Sequence, residues 1–356
     1  MNGAAVFNPD SQEYWTELAK TKRVCPLPTL EVVDKVIRFT EFFTKVRLYT
    51  YQYVFCARIV ESVLDNDGAI ITGLWCRQSG KTETIADCVA GMALFLPALG
   101  KAFPDDPRLS MFEGGFLAGI YAPIKEQAEI SFTRMRSRVT SEHGQMVLSD
   151  PDLDISLTTD RADTLGFSNG SIIIARSASP DTQIEGKTFH LVICEEAQKL
   201  LRTKVEKEIR PMLAATNGTM VKIGTAWASR GGFHVSIQRN IEIRKNGGKR
   251  NHFEFPYDVV IAEKRKAYER DGKAFHLNYE KYVNNEKFSY GGEDSVEFRM
   301  NFKCEWQESR VIAIRQEIFL KKSPILSLEA GPRKGGFQVG GLDIGKINDR
   351  TVLTAM

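Results

Sequence analysis

The chain has 356 residues, 42% of them hydrophobic and 26% charged, an ordinary globular composition that excludes disorder over most of its length. At roughly 150 residues per domain, the length predicts two or three domains or one large one. Forty-eight basic against 45 acidic residues leave a formal charge of +3, too balanced to coat nucleic acid by bulk charge, although a local basic stripe is compatible with it.

The first fifteen residues, Met1 to Trp15, carry neither the basic region nor the apolar region of a secretory signal. From 28 to 63, apolar residues recur at helical spacing, as in Val32, Val33, Val36 and Ile37 and again in Val54, Phe55, Ile59 and Val60. Five short apolar runs rich in strand formers follow, at 69–75, 115–121, 171–175, 191–194 and 220–223. Helical patterns over 82–96 and 124–140 separate several of them. Continuous apolar strands alternating with helices predict an α/β layer structure with a largely parallel, buried sheet. The longest apolar run, Cys88 to Gly100, is interrupted by Pro97 and falls short of the about 20 residues of a bilayer span, so no membrane helix is expected. After Phe233, glycines at 247–248, 272 and 291–292 break the chain into short, charged, mostly helical pieces. The stretch 241–330 therefore reads as a lid or linker subdomain, and the run Gly331 to Gly336 as a hinge. Two strand-like runs, 337–344 and 351–355, close the sequence. The six cysteines show no CxxC spacing and read as buried free thiols of a reducing compartment. The five histidines are scattered, and no zinc site is expected.

The strongest local motif is Arg77-Gln78-Ser79-Gly80-Lys81-Thr82, after a predicted strand and opening a predicted helix. Backbone N–H groups of such a loop cradle phosphates, the lysine reaches the β- and γ-phosphates, and the hydroxyl of Thr82 ligates Mg²⁺. The full pattern wants glycine where Trp75 stands, so the match is degenerate. Arg77 inside the loop either stabilises transition-state charge or braces the loop; the sequence leaves both open. The second motif is the apolar strand 191–194 ending in Glu195-Glu196. Adjacent strand residues point to opposite sides, so Glu195 is expected toward the Mg²⁺ shell, through a metal-bound water, and Glu196 toward an attacking water. Tyr51-Gln52 offers a stacking ring and an amide that suit an adenine, though an ordinary amphipathic helix start carries the same pair. Gly224-Thr225-Ala226, after the fifth strand, is placed to sense a γ-phosphate beside Glu196, or is a plain strand-end turn. Two basic groups, Arg134, Arg136 and Arg138, and Arg239, Arg244, Lys245, Lys249 and Arg250, are candidates for DNA phosphate contacts or solvated helix faces.

Together these residues resemble the large terminase subunit of tailed bacteriophages. The Arg-Gln-x-Gly-Lys-Thr phosphate loop carries the resemblance, with Tyr51-Gln52, the stretch Ala122 to Ala128, Ile184-Glu185-Gly186, Glu195-Glu196-Ala197 and the stretch Glu297 to Trp306 in the family's order. Glu195 replaces the usual aspartate. The resemblance implies a P-loop NTPase core of RecA/ASCE type that hydrolyses MgATP and drives double-stranded DNA into a procapsid. Its implied domains are a helical region with an adenine-binding segment over 1–66, the ATPase core over 67–240, the lid over 241–330 and the opening of an RNase H-like nuclease domain over 331–356. In that last segment Asp343, followed by Asp349, matches the first metal-binding carboxylate of a site that takes Mg²⁺ or Mn²⁺. The later carboxylates do not follow before Met356, so no nuclease activity is expected of these 356 residues. The implied partners are DNA, a portal protein, a small terminase subunit and further copies in a ring, in the host cell cytoplasm. Arg161, Arg176 and Arg210 are candidates for an arginine acting on a neighbour's nucleotide. The rival readings are a helicase-like DNA-dependent ATPase and a non-catalytic, nucleotide-dependent protein that docks on a portal.

Overall fold

The computed structural model describes residues 23–182, 186–228, 230–307, 340–343 and 352–355. They fall into two compact units, one running to Glu308 and one from Ser309. The first opens with helices α1 (Thr29–Thr44) and α2 (Thr50–Asp65). Their apolar stripes, Val32, Val33, Val36 and Ile37 on α1 and Phe55, Ile59 and Val60 on α2, are buried. The gap at 45–49 turns through Lys45, whose left-handed backbone ends α1.

The five apolar runs form strands β1 (Ile70–Trp75), β2 (Leu117–Ala122), β5 (Ile172–Ser177), β6 (Leu191–Cys194) and β7 (Thr219–Gly224). They are contiguous in the sheet, in the order β5-β2-β6-β7-β1, and every pairing among them is parallel. Sheets covered on both faces select such continuous apolar strands. Helices α3 (Lys81–Ala102) and α4 (Lys125–Thr140) follow β1 and β2. A short α5 (Glu142–Leu148) is capped by the Ser141 hydroxyl, which accepts from the Gly144 N–H at 3.0 Å.

Three strands escape a pattern reading. An antiparallel hairpin of β3 (Leu157–Arg161) and β4 (Thr164–Phe167) extends one edge. Its outer strand alternates partly exposed and exposed residues and carries no apolar run. At the other edge β8 (His252–Phe255) pairs parallel with β1, so the segment expected to be lid gives its first strand to the main sheet. Only Phe253 and Phe255 of that strand point into the core. Beyond it lie α6 (Gly232–Lys245) on its N-terminal side and α7 (Tyr257–Asp271), α8 (Asn278–Ser289) and α9 (Val296–Phe302) on its C-terminal side.

Pro97 does not stop α3, although it sits well inside it. A proline removes the hydrogen bond to the carbonyl four residues earlier, here Ala93. That carbonyl instead accepts from Asn169 Nδ2 at 2.9 Å and Ser171 Oγ at 2.7 Å, both in the turn between β4 and β5. The helix thus reaches 22 residues, long and apolar enough by length and composition to cross a membrane, which the run of 88–100 did not suggest. It is the central core helix: 83% of its most apolar stretch is buried inside the fold. In the second unit, β9 (Gly340–Asp343) and β10 (Val352–Ala355) form an antiparallel pair, with Asp343 opposite Val352. The six cysteines are free and buried.

Candidate functional site

The loop between β1 and α3 curls through two left-handed residues, Gln78 at φ 56° and Gly80 at φ 89°. Such a curl turns successive backbone N–H groups toward one point, and the N-terminus of α3 lies directly behind it. Glycine at 80 is needed twice over. A side chain there would be strained, and its Cβ would stand 2.8 Å from Gln52 Nε2. The loop is braced from beneath: Ser79 Oγ donates to the Cys76 carbonyl at 2.6 Å, and Tyr51 OH donates to the Ser79 carbonyl at 2.7 Å. Gln52 accepts from the Tyr49 N–H at 3.0 Å and donates to Thr84 Oγ1 at 2.8 Å, and Thr84 Oγ1 donates to the Gly80 carbonyl at 2.9 Å. Tyr51 and Gln52, expected at an adenine, are therefore both buried and engaged as supports of the loop.

Trp75, in the place of the missing glycine, points away from the loop. It is fully buried, edge-on to Phe55 at 5.4 Å and against Phe255 at 4.5 Å between ring centroids. A large ring is tolerated because the position faces the core between α2 and β8. From the other side the loop is held by the helices after β8. The Arg77 N–H donates to the Asn301 carbonyl at 2.8 Å, and Tyr279 OH donates to the Arg77 carbonyl at 3.0 Å. The Arg77 side chain is exposed, and its guanidinium has no hydrogen-bond or ion-pair partner among the described residues. Thr82, in the first turn of α3, is partly exposed.

Strand β6 delivers the carboxylate pair to the same edge of the sheet, and the two side chains go to different partners. Glu195 is buried and accepts from Ser131 Oγ of α4. Burial pushes its carboxyl up to about 7, against the Ser131 hydrogen bond and the charge of Lys81. Glu196 has a left-handed backbone, φ 47°, and turns the other way. Its Oε1 is ion-paired with Lys81 Nζ. Its Oε2 accepts from Gln198 Nε2 at 2.8 Å. Burial works to raise the Glu196 carboxyl, but Lys81, Gln198 and Lys199 outweigh it and hold it below the usual carboxylate range. Gln198 also donates to Thr225 Oγ1 at 3.2 Å. Lys81, Glu196, Gln198 and Thr225 thus form one polar chain across the ends of β1, β6 and β7. Gly224 ends β7 and Ala226 is buried behind it.

Gln198 is the residue that pattern reading missed. A lone glutamine after a carboxylate pair has no signature, and its second partner lies 27 residues on. Arg134 and Arg138, read as DNA candidates, both pair with Glu83 in the first turn of α3. Arg136 pairs with Asp160 at 2.6 Å. Lys249 is held by Asp65 at 2.8 Å, Glu61 at 3.0 Å and Asp67 at 3.7 Å, so its charge is spent within the chain. Arg250 lies over the Phe253 ring at 4.6 Å, and Arg244 donates to the Gly248 carbonyl at 3.2 Å. Lys245 is exposed. Arg239 lines a cavity of about 300 Å³ together with Arg202 and Arg210, between α6 and the N-terminal end of β1. That is the end of the strand opposite the phosphate loop. Asp343 closes β9 in the second unit, while Asp349 and Ile184-Glu185 lie outside the described residues. No group of three or more His, Cys, Asp or Glu side chains able to hold a metal ion is found among the described residues.

A left-handed loop at a helix head, a lysine and a carboxylate pair on one edge of a parallel sheet make the arrangement of a phosphate-loop α/β protein. The family profile described as terminase large subunit, T4likevirus-type, N-terminal, matches residues 73–306, more than half of the chain, and the chain belongs to that family. Two solved structures of the Thermus phage P74-26 large terminase ATPase domain, one of them a mutant, are similar in fold. Both have TM-scores of 0.51, at 19% and 18% identity, and the match covers 75% of this chain and 97% and 96% of theirs. The HK97 bacteriophage large terminase matches with a TM-score of 0.44 at 20% identity, over 63% of this chain and 43% of that one. No curated protein sequence matches.

Proposed function

We propose that the chain is the ATP-hydrolysing motor of a viral terminase and drives double-stranded DNA into a procapsid. One observation carries this reading: Lys81 and Glu196, 115 residues apart, meet beside a left-handed loop at the head of a buried helix. The loop N–H groups and Lys81 hold the β- and γ-phosphates of ATP. The attacking water gives its proton to Glu196 as its oxygen bonds to the γ-phosphorus. The bond to the β–γ bridging oxygen breaks, and ADP leaves with that electron pair. The low proton affinity of Glu196 keeps it ionised and ready to accept. The Thr82 hydroxyl and, through water, Glu195 are the groups suited to the Mg²⁺ that accompanies ATP and neutralises its phosphate charge. A cation there brings the Glu195 carboxyl back down. The unpaired Arg77 guanidinium is free to meet charge developing on the phosphates. Because Tyr279 and Asn301 grip the Arg77 backbone, a movement of the loop on nucleotide turnover is passed to α8 and α9.

The same reading gives the chain a portal protein, a small terminase subunit and further copies in a ring as partners, in the host cell cytoplasm. It makes Asp343 a metal-binding carboxylate of an RNase H-like nuclease domain that uses Mg²⁺ or Mn²⁺. The deciding experiment is ATP turnover with and without double-stranded DNA for wild type, Lys81→Ala and Glu196→Gln. Lys81→Ala is expected to lose ATP binding, since the lysine charge acts on the bound ground state. Glu196→Gln is expected to bind ATP and lose turnover by about 10²-fold or more, since the carboxylate acts on the attacking water. Near-normal turnover by Glu196→Gln removes the assignment.

A further inference from the structure

We propose that Gln198 is a positioning residue for hydrolysis, fixing the aim of Glu196 by tying it to the end of β7. The inference rests on the hydrolytic reading of Glu196 and adds the means by which that carboxylate is held and released. Glu196 and Gln198 stand on one short turn, closed where the Lys199 N–H donates to the Glu196 carbonyl at 2.8 Å. From that turn the Gln198 amide nitrogen donates at once to Glu196 Oε2, at 2.8 Å, and to Thr225 Oγ1, at 3.2 Å. Its carbonyl oxygen is buried, and no protein group among the described residues donates to it.

A Cβ on Gly224 would stand 2.0 Å from Gln198 Oε1, so the amide takes space that only a glycine at 224 leaves open. The amide nitrogen is thereby placed between the Glu196 carboxylate and the end of β7. Movement of Thr225 pulls on the amide, and the amide pulls on Glu196. With Lys81 on the other carboxylate oxygen, Gln198 keeps hold of Glu196 when the lysine turns to a phosphate.

The test uses single-turnover ATP hydrolysis by the full chain, with ATP affinity and melting temperature measured alongside. In Gln198→Leu the chemical step is expected to slow by roughly 10²-fold, the scale of a misplaced catalytic group, with ATP affinity within about twofold of wild type. Gln198→Glu keeps the shape and sets a second carboxylate beside Glu196. It cannot donate to Glu196, so the chemical step is expected to slow by a similar factor while ATP affinity stays within about twofold of wild type. A purely packing role moves melting temperature and leaves the single-turnover rate in place, so a folded Gln198→Glu protein with a wild-type chemical step overturns the proposal. Should Gln198→Leu not fold, the rate in Gln198→Glu decides. Glu196→Gln in the same assay separates the two levels. If it turns over normally, the hydrolytic reading fails. If it is inactive while both Gln198 variants behave as wild type, only the positioning role fails.

Discussion

Charges inside this fold are held by name, and one is held badly. Asp87, on the buried face of α3, is fully enclosed; one carboxylate oxygen has no protein partner among the described residues and the other meets Arg138 Nε only at 3.4 Å. Burial first, and then the charge of Glu83, push its carboxyl from 3.8 to about 7, against the pull of Arg138. The raised value sets the sign. Between about pH 4 and 7 the folded chain holds a proton that the unfolded chain has released, so stability falls as pH climbs through that window. Above it the native state carries a buried, half-paired charge. Asp87→Asn removes the charge and is expected to raise the melting temperature by roughly 2–6 °C at pH 8.5, with the gain shrinking toward pH 4. Thermal melts at the two pH values check this, and a gain of equal size at both refutes the electrostatic cause. Glu195 shifts in the same direction, again chiefly by burial.

At the scale of elements, the core helix depends on a turn that belongs to the sheet. Asn169 and Ser171 take up the Ala93 carbonyl that Pro97 leaves without its helical donor. Asn169→Ala is expected to cost about 1 kcal/mol in urea unfolding, the net worth of one such hydrogen bond. In a Pro97→Ala background the helix regains its own donor, and the cost is expected to fall by half or more. Equal costs in both backgrounds would show that the bond to Ala93 carries no weight. The pairing also shows what a sequence reading can reach. The five apolar strands were legible because a parallel sheet buried on both faces leaves a continuous run, and the phosphate loop and carboxylate pair stood at their ends. The hairpin β3–β4 and the edge strand β8 were not legible, since an edge needs few apolar residues and β8 has only Phe253 and Phe255 to show. Pro97 pointed the wrong way on helix length because its compensation lies more than seventy residues downstream. Tyr51 and Gln52 drew notice for a ligand, and the structure shows them bonded to the loop and its neighbours, because side-chain chemistry that suits an adenine equally suits a backbone carbonyl. Gln198 was invisible because its role exists only once β6 and β7 lie side by side.

For the whole molecule, the proposed motor leaves one charge requirement open at its active edge. Phosphoryl transfer spreads negative charge over the γ-phosphate, and an arginine supplied by a neighbour is worth about 10³–10⁵ in rate. In the proposed motor Arg77 would meet part of that charge from within the chain. Of the three arginines the sequence offered for a neighbour, two are committed at home: Arg176 to Asp163, and Arg210 to Glu206 at 2.9 Å. Arg210 also lies by the N-terminal ends of β1 and β7, away from the phosphate loop. Arg161 ends the outermost strand β3, is exposed, and its guanidinium has no partner among the described residues. A free cation on an open sheet edge is the one of the three that a second copy can use without first breaking an ion pair. Turnover per chain is therefore expected to rise with protein concentration, or on assembly with a portal ring. Arg161→Ala is expected to lose most of that rise, by about 10³-fold if it acts as the trans arginine, while Arg176→Ala and Arg210→Ala lose less. Turnover that is fast in dilute monomer and independent of concentration counts against any trans arginine. A rise that survives in Arg161→Ala and disappears in Arg176→Ala moves the role to the paired residue, and makes release of Asp163 part of assembly.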